Sequence, residues 1–166
     1  MKKYLRNILI LIALVTAVSC EQETLDPITT AAPGGGTLSN YVAYSVDSIT
    51  GQQTNVHGRV VFWKDNLSRT LVQVSLYNTV ADTFHPAFFV EGAIGSGAGM
   101  LTELHMIDGN KGELGTNKFF VITDTEYFDT ITEKDMHIAI YLSASDNTIV
   151  SAGNLGANAS PVDQSN

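Results

Sequence analysis

From Asn40 onward, apolar and polar residues alternate with a period of two, the spacing of a strand that buries one face. Leu71 to Tyr77 is the clearest case: Val72, Val74 and Leu76 face one way, and Gln73, Ser75 and Tyr77 the other. Met136 to Ser143 alternates as strictly, with Met136, Ile138, Ile140 and Leu142 set against His137, Ala139, Tyr141 and Ser143. The same reading gives strands over Tyr41–Ile49, Val56–Trp63, Met100–Ile107, Phe119–Thr123 and Thr148–Ala152. Phe84 to Val90 is apolar throughout, which points to a strand covered on both faces or one carrying a binding surface. Gly51-Gln52-Gln53, Lys64-Asp65-Asn66 and Asp108-Gly109-Asn110-Lys111-Gly112 supply turn chemistry between these runs. Thr130–Asp135 reads as one turn of helix or a loop. Short strands, frequent turns and no long helical period predict an all-β fold, an antiparallel Greek-key-like β-sandwich of seven to eight strands.

Before Asn40 the pattern is different. Lys2, Lys3 and Arg6 precede an apolar run from Ile8 to Val18, broken by Thr16, and Ser19 then leads into Cys20. This is the layout of a secretory signal. The run is shorter than the ~20 apolar residues that span a bilayer. A cysteine after Ala17-Val18-Ser19 resembles the lipobox of bacterial lipoproteins. That resemblance implies cleavage before Cys20, a diacylglycerol thioether on its sulfur, and acylation of the new amine. Glu21 to Ser39 has no apolar periodicity and contains Pro27, Pro33 and Gly34-Gly35-Gly36, the composition of a flexible tether. The expected organisation is therefore a signal peptide over 1–19, a lipidated cysteine and tether over 20–39, a β-sandwich over 40–156 and a disordered polar tail over 157–166. An outer-membrane lipoprotein follows, either periplasm-facing or on the cell surface. Acidic Glu21 and Glu23 beside the lipid site resemble a surface-export signal.

Charge narrows the partners. The chain has nine Lys+Arg and seventeen Asp+Glu. Three of the basic residues precede Cys20, so six against seventeen leaves a formal charge of −11 on the mature part. Phosphate backbones repel such a domain, which argues against nucleic acid as a partner. Membrane contact is then expected through the lipid on Cys20 alone. Cys20 is the single cysteine, so its lipidation leaves no thiol for a disulfide, a thiolate metal site or a nucleophile.

Several pieces in order resemble the chordin-type (CHRD) domain. They are Val72-Gln73-Val74-Ser75-Leu76-Tyr77-Asn78, His85-Pro86-Ala87-Phe88-Phe89-Val90-Glu91-Gly92, Leu104-His105-Met106-Ile107-Asp108-Gly109-Asn110-Lys111-Gly112, His137 to Ser143, and Ile149 to Gly156. The resemblance runs from Tyr41 to Gly156. It implies a single-copy module of secreted proteins and lipoproteins, distantly similar in plan to Cu/Zn superoxide dismutase. Where many members of that family carry His-x-His, this chain has Phe88 and Val90, and neither side chain binds a metal.

The four histidines, His57, His85, His105 and His137, show no His-x-His or His-x-x-x-His spacing, and they read as exposed or edge residues without a ligand. On the strand phasing, His57 and His137 point out of the core. Asp108 to Glu113 loosely follows a calcium loop, but Lys111 opposes a dication and a plain turn is expected. Gly92 to Gly99 lacks the Lys-Ser/Thr ending of a phosphate loop, and Gly95-Ser96-Gly97 has no strand-to-helix setting for a nucleophile. No catalytic residue, metal or cofactor is expected. Trp63, Phe84, Phe88, Phe89, Tyr127 and Phe128 are mostly core, although they offer the makings of a carbohydrate-stacking platform. Phe88 and Phe89 cannot both point inward on one strand of a two-layer sandwich, so one of them is covered by a loop or exposed as a contact residue; Phe88, Phe89 and Trp63 are the candidates for a contact surface. The leading expectation is a non-enzymatic, lipid-anchored envelope module that binds a protein or a glycan. The alternatives are a superoxide dismutase-like metal protein and a glycan-binding module.

Overall fold

Alternation of β-branched and aromatic residues builds three long antiparallel strands at the start of the domain. They are β1 (Tyr41–Ser48), β2 (His57–Lys64) and β3 (Thr70–Tyr77). The computed structural model describes residues 38–96, 99–115 and 118–163. The expected signal peptide over 1–19, Cys20, the expected tether before Leu38 and residues 164–166 of the expected tail lie outside the described residues. Among the described residues ten strands follow one another: after β3 come β4 (Phe84–His85), β5 (Ala87–Glu91), β6 (Met100–Glu103), β7 (Ile107–Asp108), β8 (Phe120–Ile122), β9 (Asp135–Ser143) and β10 (Asp146–Gly156). A single 3-10 turn, Ile131–Glu133, precedes β9.

The all-β antiparallel class is as the alternation predicts, but the layers are made differently from two separate sheets. Eight strands form one curled sheet in the order β6-β5-β9-β10-β1-β2-β3-β8, and β4 and β7 form a small second sheet. Strand β1 is the hinge of the curl. Its residues Tyr41 to Val46 pair with β2, while Asp47 and Ser48 pair with β10 at Ala152 and Ser151. The two halves then fold face to face over one core. Val60, Phe62, Val72, Val74 and Leu76 come from one half, and Phe89, Ile138, Ile140, Val150 and Leu155 from the other. Phe62 stacks on Phe89 across the core at 5.6 Å between ring centroids. Fully burying each such side chain contributes about 1.5–3 kcal/mol.

The first half is covered on its outer side too. Val61, Trp63 and Leu71 alternate away from the main core, yet they are buried with Leu38 and Ala43 in a second cluster that Phe119 and Val162 flank. Val162 donates its N–H to the Ala43 carbonyl at 2.8 Å. Val162 therefore lies against β1, and Ala157 donates its N–H to the Lys134 carbonyl at 2.9 Å, so residues 157–163 are held to the domain rather than forming the frayed tail that their polarity suggested. Asn158 Nδ2 adds hydrogen bonds to Asp135 Oδ1 at 2.8 Å and to the Met136 carbonyl at 3.2 Å.

Three strand boundaries differ from the periodic reading. Pro86 has no N–H and divides the Phe84–Val90 run into β4 and β5, while its carbonyl still accepts from Tyr141 at 2.9 Å. The expected strand from Met100 to Ile107 breaks after Glu103. Leu104 donates to Ala87, and the chain then turns so that Ile107 pairs with His85. The last strand runs to Gly156 instead of ending at Gly153, because Gly153 packs where a Cβ would collide with the Ser45 carbonyl. Glycine is required there by close approach to β1.

Candidate functional site

The polarity of the domain is set by register. Asn40 accepts from Lys64 at one end of the β1–β2–β3 sheet, and Leu38 is buried there, so the chain enters at this end. His57 and Tyr77 pair at the other end, seven residues away along β2, or roughly 20 Å at ~3.3 Å per residue. Three loops meet at that far end. Asn78 Nδ2 donates to the Asn55 carbonyl at 3.2 Å, Thr79 Oγ1 to the Gly109 carbonyl at 2.7 Å, and Asp82 N–H to Asn110 Oδ1 at 3.1 Å. Leu76 N–H donates to the Gly112 carbonyl at 2.8 Å, which docks the third loop on β3. Asn78, Asp82 and Glu113 all adopt left-handed backbone, at φ 55, 60 and 57°. Such conformations persist where surrounding contacts over-determine them.

Each histidine has a defined place. His85 is fully buried. Its Nδ1 lies 3.1 Å from the Tyr141 carbonyl, and its Nε2 accepts from Val80 N–H at 3.2 Å. A carbonyl only accepts, so those partners put the hydrogen on Nδ1. Both nitrogens are used, and His85 acts as a staple between the loop after β3 and β9. His137 does leave the core face, but it is only 7% exposed, with Nδ1 2.8 Å from the Gly92 carbonyl. His57 Nδ1 lies 2.8 Å from the Asn55 carbonyl, and its ring stacks on Tyr77 at 5.6 Å. His105 differs from the others because its Nε2 is buried without a hydrogen-bond partner. Burial holds its pKa below the ordinary value, Lys118 adds to the effect and Glu113 opposes it. The expectation of exposed or edge histidines is corrected for His85 and His137, which loop carbonyls and backbone amides cover. Among the described residues no group of three or more His, Cys, Asp or Glu is placed to hold a metal ion.

The Asp108–Glu113 segment is a turn whose oxygens are engaged internally. Asp108 Oδ1 accepts from Asn110 N–H at 2.9 Å, and the Asp108 carbonyl from Gly112 N–H at 2.7 Å. The buried Glu113 carboxylate accepts from Lys118 Nζ at 2.7 Å, and the same ammonium reaches the Met106 carbonyl at 2.7 Å. A lysine of the chain thus occupies the cationic position of this loop.

The expected contact surface loses two of its three rings. Phe89 is fully buried and Trp63 is 4% exposed. Phe88, one residue out of phase, lies on the outer face, half-buried edge-on against Tyr141 at 5.4 Å. Tyr127 and Phe128 pack against the core. Burial, with Asp124 adding to it, pushes the Tyr127 phenol up to about 12. Phe84 is 58% exposed. Periodicity gave no weight to Tyr77, which is 51% exposed; its polar-face position was legible, but its pairing and stacking with His57 were not.

A groove of about 340 Å³ runs where β1, β10 and the terminal segment meet, lined by Ser45, Asp47, Ile94, Asn154, Asn158 and Ser160 among others. No motif marks the groove as a site, because its lining comes from four separate stretches of chain.

The fold and site define an all-β, curled-sheet domain with a groove of mixed polar and apolar lining and an interlocked loop end, lacking a metal-binding cluster among its described residues. No family model, curated protein or solved structure matches the chain, so the chordin-type resemblance rests on the quoted sequence pieces alone.

Proposed function

We propose that this chain is a lipid-anchored module of the cell envelope that binds a partner and performs no chemistry of its own. The observation that carries the reading is the separation of the two ends. A tether before Leu38 would join at the buried Leu38 end, while the interlocked loops and the Tyr77–His57 pair sit at the opposite end of β2 and β3. Lipid at Cys20 would supply position, residues 21–37 reach, and the sheet face with its loops contact. Two or more acyl chains anchor stably, since each buried methylene contributes about 0.8 kcal/mol. The test is fractionation of cells making the full-length chain or its Cys20→Ser variant, with an alkaline carbonate wash of the membranes. The wild-type chain is expected to stay with the washed membranes and the variant to be released. A variant retained as fully as the wild type would sink the proposal.

A further inference from the structure

The outer face of the β1–β2–β3 half divides into two parts. Near the tether it is closed by Leu38, Phe119 and Val162. Toward the loop end it is open and polar, and register makes it continuous. Tyr77 lies opposite His57, Ser75 opposite Arg59, Arg59 opposite Ser45, and Asp47 opposite Ala152 at the floor of the groove. This strip crosses four strands, roughly 15 Å at about 4.8 Å per strand spacing.

We propose that this strip and groove form a binding site for a glycan chain. The inference deepens the binding-module reading but does not depend on the lipid. Three features carry it. First, the groove offers both hydrogen-bonding senses from fixed amides. Asn154 Oδ1 accepts from Ile94 N–H at 2.8 Å, which leaves its amide nitrogen to donate. Asn158 Nδ2 donates to Asp135 at 2.8 Å and to the Met136 carbonyl at 3.2 Å, which leaves its oxygen to accept. Hydroxyl groups, which donate and accept together, are the complementary chemistry. Second, apolar surface accompanies the polar groups: the Tyr77 ring, held by its stack on His57, stands at one end of the strip, and Ile49, Ile94, Ala159 and Val162 line the groove at the other. A flat ring beside polar groups suits the apolar face of a pyranose. Third, Asp47 and Arg59 put opposite charges on the strip, so it selects neither polyanions nor polycations. At about 340 Å³ the groove falls in the range of small-ligand sites.

The test is affinity electrophoresis of the full chain in detergent, through gels cast with the neutral polysaccharides xylan, laminarin, dextran or hydroxyethyl cellulose. At least one of these is expected to retard the wild-type chain. Tyr77→Ala and Asp47→Ala should each weaken that retardation about tenfold, equivalent to ~1.4 kcal/mol. Tyr77→Phe, which keeps the ring, and Leu67→Ala, at the tether end, should leave it unchanged, with far-UV spectra checking that every variant folds. Retardation by none of the four, or retardation indifferent to both Tyr77→Ala and Asp47→Ala, overturns the proposal. A chain that stays on washed membranes but is not retarded would overturn this site and leave the anchored reading standing.

Discussion

Phe88 and Phe89 differ in nothing but phase, yet the core treats them oppositely. Phe89 stacks on Phe62 inside the core, whereas Phe88 leans on Tyr141 outside it. Phe89→Ala should therefore cost about 3–5 kcal/mol, counting the cavity left behind. Phe88→Ala should cost roughly 1 kcal/mol, the scale of one aromatic pair. Urea denaturation of the two variants checks the ordering, and equal midpoints would contradict the packing. The sequence showed that the two rings must part, but not which one goes inward. That choice depends on the pairing of β5 with β9, about fifty residues away. His105 makes a second prediction at this scale. Its pKa is lowered in the folded state by burial and by Lys118, against the pull of Glu113. A depressed histidine leaves stability complete above its unfolded value and lost as pH falls through the folded one. The thermal midpoint should fall from pH 7.5 to pH 5 in the wild-type chain. The fall should be smaller in His105→Gln, and an equal fall in both would contradict the assignment.

At the scale of elements, strand existence was legible and strand extent was not. Period-two alternation found β3 and β9 almost to the residue, because each buries one face in the main core. Met100–Ile107 was read as one strand, since nothing local reveals that Leu104 donates to Ala87 and turns the chain toward β4. The terminal segment was misjudged for a related reason. Its polarity is real, but Val162, with Phe119, packs against the second cluster beside Val61 and Trp63. Ending the chain after Ser160 should leave the domain folded, lower its stability by about 1 kcal/mol, and shift Trp63 emission to longer wavelength. An unchanged emission spectrum would mean that Val162 does not cover this cluster.

For the whole molecule, the expected organisation before Leu38 falls outside the described residues, and no stretch of sequence marks the proposed strip. The charged start, the apolar run and the lone Cys20 are contiguous and can be read directly. The polar strip assembles from β1, β2, β3, β10 and the segment after it, so no local motif marks it. The curl that brings these strands together depends on β1 changing partners between Val46 and Asp47, a long-range event without a local signature. The proposed account places a lipid at one end of the domain and a binding face toward the other. Its most direct test is the intact mass of the protein extracted from membranes. The account predicts a chain beginning at Cys20, lacking residues 1–19 and heavier by a diacylglyceryl group and an N-acyl chain. A chain that retains Met1 to Ser19, or an unmodified Cys20, would contradict it.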